Sequence, residues 1–167
     1  MKYRDIGKEI AESLKADDFG TPEEVIEKAK PIRYAKSREE AKPILEEIAA
    51  KGSLTSADGI EATISGKSKR EMLSGKSSSK SFERKAHWQA IANIDKLYGN
   101  AIEKQPVDLD PRKGDKDIKT RKILFSPMEY NDRIVPVKFT ILEYKRKEDG
   151  MRLYDIQAID VDLRQKK

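Results

Sequence analysis

From Lys119 to Leu163 the chain is patterned in twos. Ile123 and Phe125, with Met128 beyond them, form a first inward-facing run. Val135, Val137, Phe139 and Ile141 form a second, and Leu153, Ile156, Ile159 and Val161 a third. A period of two places such residues on one face of a strand. Asn131-Asp132 and Glu148-Asp149-Gly150 separate the runs and are turn signals. Strands joined by connections this short run antiparallel. The result is a three-stranded meander whose apolar face requires a second layer. Pro136 predicts a bulge or an edge near the start of the middle strand. The spacing change between Leu153 and Ile156 predicts a register shift.

The covering layer is written upstream. Ala86, Ile91, Ile94, Leu97 and Tyr98 form an apolar helical stripe, with Ser81 as its cap and Gly99-Asn100 as its stop. This helix carries the only histidine, His87, and the only tryptophan, Trp88. His87 stands i, i+4, i+7 with Ile91 and Ile94, which predicts a place at the edge of the core. Trp88 reads as a packing residue rather than a base-stacking platform.

Before the helix runs a cationic segment. Residues 65–85 carry seven Lys/Arg (Lys67, Lys69, Arg70, Lys76, Lys80, Arg84, Lys85) against Glu71 and Glu83. Ser68 predicts the cap of a short helix to Leu73, and residues 74–81 a mobile loop. Ile60–Ile64 alternates as a short strand and is a candidate fourth member of the sheet. Residues 101–117 read as a long polar loop.

The first third is helical. Ile6, Ile10 and Leu14 mark a helix over 3–15. Thr21-Pro22-Glu23-Glu24 starts a second, running to about Lys30. Ser37-Arg38-Glu39-Glu40 is a capping box for a third, ending near Gly52, with Pro43 shifting its start later. Residues 1–52 hold eleven Lys/Arg and twelve Asp/Glu, so the net charge of +5 resides in the remainder. The division expected is a helical appendage, 1–52, and a domain, 53–167. The fold class is α+β: N-terminal helices, then an antiparallel meander packed on a helix.

A basic remainder suits a polyanionic partner, nucleic acid or an anionic membrane surface. The absence of cysteine excludes disulfides and thiolate chemistry. One histidine and no cysteine argue against a transition-metal site, and no cofactor is expected. No apolar run approaches the roughly 18 residues of a membrane helix, so no membrane anchor is expected. The N-terminus lacks the apolar centre of a signal peptide.

Four stretches carry a family resemblance: ATISGKSKREML, SFERKAHWQAIANIDKLYGNA, KILFSPMEYNDRIVPVKFTILEY and MRLYDIQAIDV. Over about residues 53–163 the chain resembles the barnase/EndoU/colicin/RelE-like nuclease superfamily, in its phage polyvalent-protein-associated and polymorphic-toxin branches. The resemblance implies a metal-independent ribonuclease fold with its site on the sheet face beside the preceding helices. It further implies a toxin or effector acting on RNA, tRNA included. Such a protein acts in the cytoplasm, in some members after export or delivery into a target cell, and is blocked by an immunity or antitoxin protein. Charge complementarity predicts that such a partner is acidic.

Metal-independent RNA cleavage needs a base for the 2′-hydroxyl, cations for the phosphorane and an acid for the leaving oxygen, and it leaves a 2′,3′-cyclic phosphate. His87 is the candidate base or acid, being the side chain whose ordinary pKa suits neutral pH. Lys67 and Lys69 are candidates to steady the phosphate. Ser126, in Phe125-Ser126-Pro127, and Tyr154, in Tyr154-Asp155-Ile156, match recurrent positions of the superfamily. Ser68, Arg70, Lys76, Lys80, Arg84 and Lys85 complete a nucleic-acid-binding set. Two further readings stand beside this one: a non-catalytic nucleic-acid-binding module with a structural His87, and an interaction domain of a phage or mobile-element polyprotein.

Overall fold

The computed structural model describes residues 6–104, 118–146 and 150–165. Helix α1 (Ile6–Ser13) leads through a 3-10 turn (Ala16–Phe19) to α2 (Pro22–Ala29) and α3 (Arg38–Ala50). Both predicted caps form. The Thr21 hydroxyl accepts the Glu24 N–H at 3.2 Å while the Glu24 carboxylate accepts the Thr21 N–H at 2.9 Å. Ser37 accepts from the Glu40 N–H at 3.2 Å, but the Glu40 carboxylate accepts the Lys36 N–H at 2.7 Å, so this cap forms without the reciprocal half of the expected box. Pro43 does not delay α3; it lies inside the helix. The apolar face of α3 is well enough packed to carry the lost backbone bond, with Ala41, Leu45 and Ile48 all buried.

A small ribbon, β1 (Leu54–Thr55) with β2 (Glu61–Ala62), precedes four short helices: α4 (Gly66–Met72), α5 (Gly75–Lys80), α6 (Arg84–Ala92) and α7 (Ile94–Gly99). Strands β3 (Ile102–Glu103), β4 (Ile118–Tyr130), β5 (Arg133–Tyr144) and β6 (Met151–Ala158) form an antiparallel sheet in that order, and a 3-10 turn (Leu163–Gln165) follows. The α+β class is therefore as expected. The fourth strand of the sheet is β3, not residues 60–64. Ala62 pairs with Leu54 instead, and Thr63 alone reaches the sheet, through a parallel bridge to Arg152 on the edge of β6. Residues 105–117 and the Glu148-Asp149 part of the second turn lie outside the described residues.

Asn131 and Asp132 sit at φ of 49° and 61°, and Tyr130 pairs with Arg133 across them. Such a two-residue turn matches the right-handed twist of the strands it joins. Pro136 lies in a central strand, opposite Pro127. Its carbonyl accepts from Ile159, just past the end of β6, so the missing N–H is turned toward the point where that ladder stops. The predicted register shift is present. Ile141 pairs with Leu153 and Thr140 with Asp155, leaving Tyr154 as the extra residue.

Alternation along the strands splits the core in two. Leu124, Met128, Val137, Phe139, Ile141 and Ile156 pack against α3, α6 and α7. Ile123, Phe125 and Ile134 on the reverse face pack against α1, α2 and the turn between them. Residues from α3, α6 and the sheet share one continuous cluster, which crosses residue 52.

Candidate nucleic-acid interface

The cationic segment is helical where the sequence reading places a loop. Its tetrapeptide Ser65-Gly66-Lys67-Ser68 recurs as Ser74-Gly75-Lys76-Ser77. In each copy the first serine accepts the N–H of the last, at 3.1 Å and 3.0 Å. Serine at the N-cap satisfies a donor that the first turn cannot. The caps are therefore Ser65 and Ser74. Ser68 is a buried third residue of α4, and 74–81 is α5 with its cap, not a mobile loop. The repeated serine spacing of three is the signal that sequence reading passed over.

Ser81 and His87 also lie differently from the expectation. Ser81 ends α5, and Glu83 stands at the N-cap of α6. His87 has no exposed surface, so it lies in the core rather than at its rim. Its Nε2 is 2.8 Å from the Met72 carbonyl and its Nδ1 2.9 Å from Ser81 Oγ. A carbonyl only accepts, so Nε2 carries the proton and Nδ1 accepts from the Ser81 hydroxyl. That hydroxyl in turn accepts the Ala158 N–H at 3.0 Å. The chain of bonds joins β6, the end of α5, α6 and the end of α4. Burial pushes the His87 pKa down to about 4, against a smaller opposing effect of the Met72 carbonyl. The ring is neutral, fully bonded and stacked edge-on to Trp88 at 5.0 Å between centroids. Trp88 is itself a buried packing residue.

A second tie fixes α5. The Ser77 hydroxyl donates to the buried Asp155 carboxylate, which also accepts the Ile156 N–H at 2.8 Å. Lys80 Nζ lies 3.7 Å from the same carboxylate. Burial raises the Asp155 pKa, while Ser77, Ile156, Lys80 and Lys138 oppose that rise. Gln157 donates to the Lys80 carbonyl at 3.0 Å. Asp155 is absent from the sequence-read set although it stands next to Tyr154.

The residues of the expected catalytic set lie in different surroundings. Ser126 alternates with Leu124 and Met128 toward the helical layer, fully buried, and among the described residues its Oγ has no hydrogen-bond partner. Tyr154 is half-buried at the bulge of β6. Lys67, Arg70, Lys76, Lys80, Arg84 and Lys85 are exposed and Lys69 half-buried. Among the described residues, Lys80 is the one of these seven with a carboxylate within 4.0 Å. Burial raises the Tyr130 pKa, and Glu83, one of only two acids in the segment, adds to that rise.

Comparison with known proteins bears on this geometry. The sequence pattern of large polyvalent protein-associated domain 3 matches residues 32–154. The chain belongs to that family. The match takes in α3, both serine-capped helices, the His87 clamp and most of the sheet, and it begins well before residue 52. Of the two branches in the resemblance, membership supports the polyvalent-protein-associated one, and with it a phage- or mobile-element-associated module. No curated protein and no solved structure matches the chain. Among the described residues of this family member, no helix is long and apolar enough to cross a membrane.

Proposed function

We propose that this polyvalent-protein-associated domain is a nucleic-acid-binding module that uses the exposed cations of α4, α5 and the start of α6, with His87 as a structural clamp. The carrying observation is the exposed, largely unneutralised charge of that segment, held on a frame of capped helices tied to β6. Such a frame presents cations without the ordering cost of a loop. The position of His87 favours binding over cleavage, because both ring nitrogens are committed and the ring has no exposed surface.

Binding through phosphates is salt-dependent by counterion release. If the segment engages about five phosphates of a single strand, affinity should fall by about a hundredfold between roughly 50 and 200 mM salt. Fluorescence anisotropy with a labelled RNA oligonucleotide measures this. The double variant Lys76→Glu, Arg84→Glu is expected to weaken binding by at least about tenfold. Affinity that ignores both salt and this variant would remove the reading.

The finer reading implied by the resemblance is a metal-independent ribonuclease leaving 2′,3′-cyclic phosphates. It would draw on the same cations, since α4 packs against β6, the strand of Tyr154. Its base would have to come from outside the clamp.

A further inference from the structure

We propose that Arg152, stacked on Tyr144, is a base-stacking plate that makes this surface select single-stranded over duplex nucleic acid; the inference rests on the binding function proposed above. The guanidinium carbon of Arg152 lies 4.8 Å from the Tyr144 ring centroid. Register explains the pair. Arg152 is opposite Leu142, and Tyr144 follows two residues along the same strand, hence on the same face. A ring beneath a guanidinium restricts where it can move. Both residues are half-buried.

The plate adjoins the cationic track at two points. Lys80 reaches Asp155, which pairs with Thr140. Thr140 is two residues from Leu142 on β5, so Asp155 and Arg152 share a face about 7 Å apart along the strands. On the other side, Thr63 bridges to Arg152 and leads within two residues to the Ser65 cap of α4. A phosphate held at Lys80 therefore lies on the face of the sheet that carries Arg152.

Charge alone favours the more densely charged duplex, whereas a stacking plane favours the single strand. Bases of a single strand have free π-faces, and guanidinium planes stack on them, whereas duplex bases are already stacked on each other. Arg152→Lys keeps the charge and removes the plane. It is expected to lower affinity for a single-stranded RNA about fivefold while leaving a duplex of the same sequence within about twofold. Tyr144→Leu, which removes the support and no charge, is expected to do the same. Thermal unfolding of each variant reports whether the fold is kept. An unchanged single-strand affinity in both variants, or an equal loss on both RNAs, would overturn the plate. If the wild type binds neither RNA, the binding function fails and the plate with it. If it binds both and responds to Lys76→Glu, Arg84→Glu but not to Arg152→Lys, only the plate fails.

Discussion

His87→Ala should lower the unfolding free energy by about 4 kcal/mol, as read by urea denaturation near neutral pH. The substitution leaves the buried Met72 carbonyl without a donor and the Ser81 hydroxyl without its acceptor. Each buried orphan costs about 1–3 kcal/mol. The vacated ring volume beside Trp88 adds a cavity. The sign of the pH dependence follows from the depressed pKa. Above pH 6.5 the ring is neutral whether folded or unfolded, and its contribution is constant. Between 6.5 and about 4 the unfolded chain takes up a proton that the folded ring refuses, so stability falls as pH falls. Over that window the loss is of order 3 kcal/mol. His87→Gln cannot titrate, yet it retains an N–H for Met72. Its stability should be flat between about pH 6.5 and 5, where the wild type declines. Two parallel curves would show that the clamp is not a buried neutral imidazole.

Asn93→Ala should cost nearly as much, about 4 kcal/mol. Asn93 is fully buried between α6 and α7. Its side-chain oxygen accepts the N–H groups of Ile32 and Arg33, at 2.8 Å and 3.0 Å. Its side-chain nitrogen donates to the carbonyls of Arg33 and Gln89, at 2.9 Å and 2.8 Å. One amide thus satisfies four backbone groups and fastens the link between α2 and α3 to the helix that carries His87. Nearby, Arg33 pairs through both nitrogens with Asp95, at 2.8 Å and 2.9 Å. Those side chains are 30% and 28% exposed, so breaking the pair with Asp95→Asn should cost only about 1 kcal/mol. Asn93→Ala costing no more than Asp95→Asn would mean that the amide is not the fastening.

The meander was legible because its determinants are local. Period-two alternation, Asn131-Asp132 and the spacing break at Tyr154 each act within a few residues, and each is present; the face of each run was less legible, since Ile123, Phe125, Ile159 and Val161 pack with α1 and α2 rather than with the His87 helix. The Thr21 and Ser37 caps were legible for the same reason. The cationic segment was not. It has few apolar residues, so no periodicity marks α5, and its helices are held by contacts distant in sequence, such as Ser77 with Asp155 and Ser81 with Ala158. Spacing placed His87 near the buried face. How far inside it lies was decided by the Met72 carbonyl and the Ser81 hydroxyl, which sequence spacing does not reveal. Asn93 divides the expected single helix in two, because its amide serves the α2–α3 link. Pro136 sits in a central strand because its imide nitrogen is turned to the end of a ladder.

The most direct test of the central claim is one incubation. Labelled RNA is mixed with the protein in EDTA at a concentration that saturates binding, and complex formation and strand integrity are followed together across a salt series. The account predicts a complex that dissociates steeply as salt rises, with the RNA intact throughout. RNA cut to 2′,3′-cyclic phosphate ends by the wild type, and left whole by a folded His87→Gln variant, would contradict it.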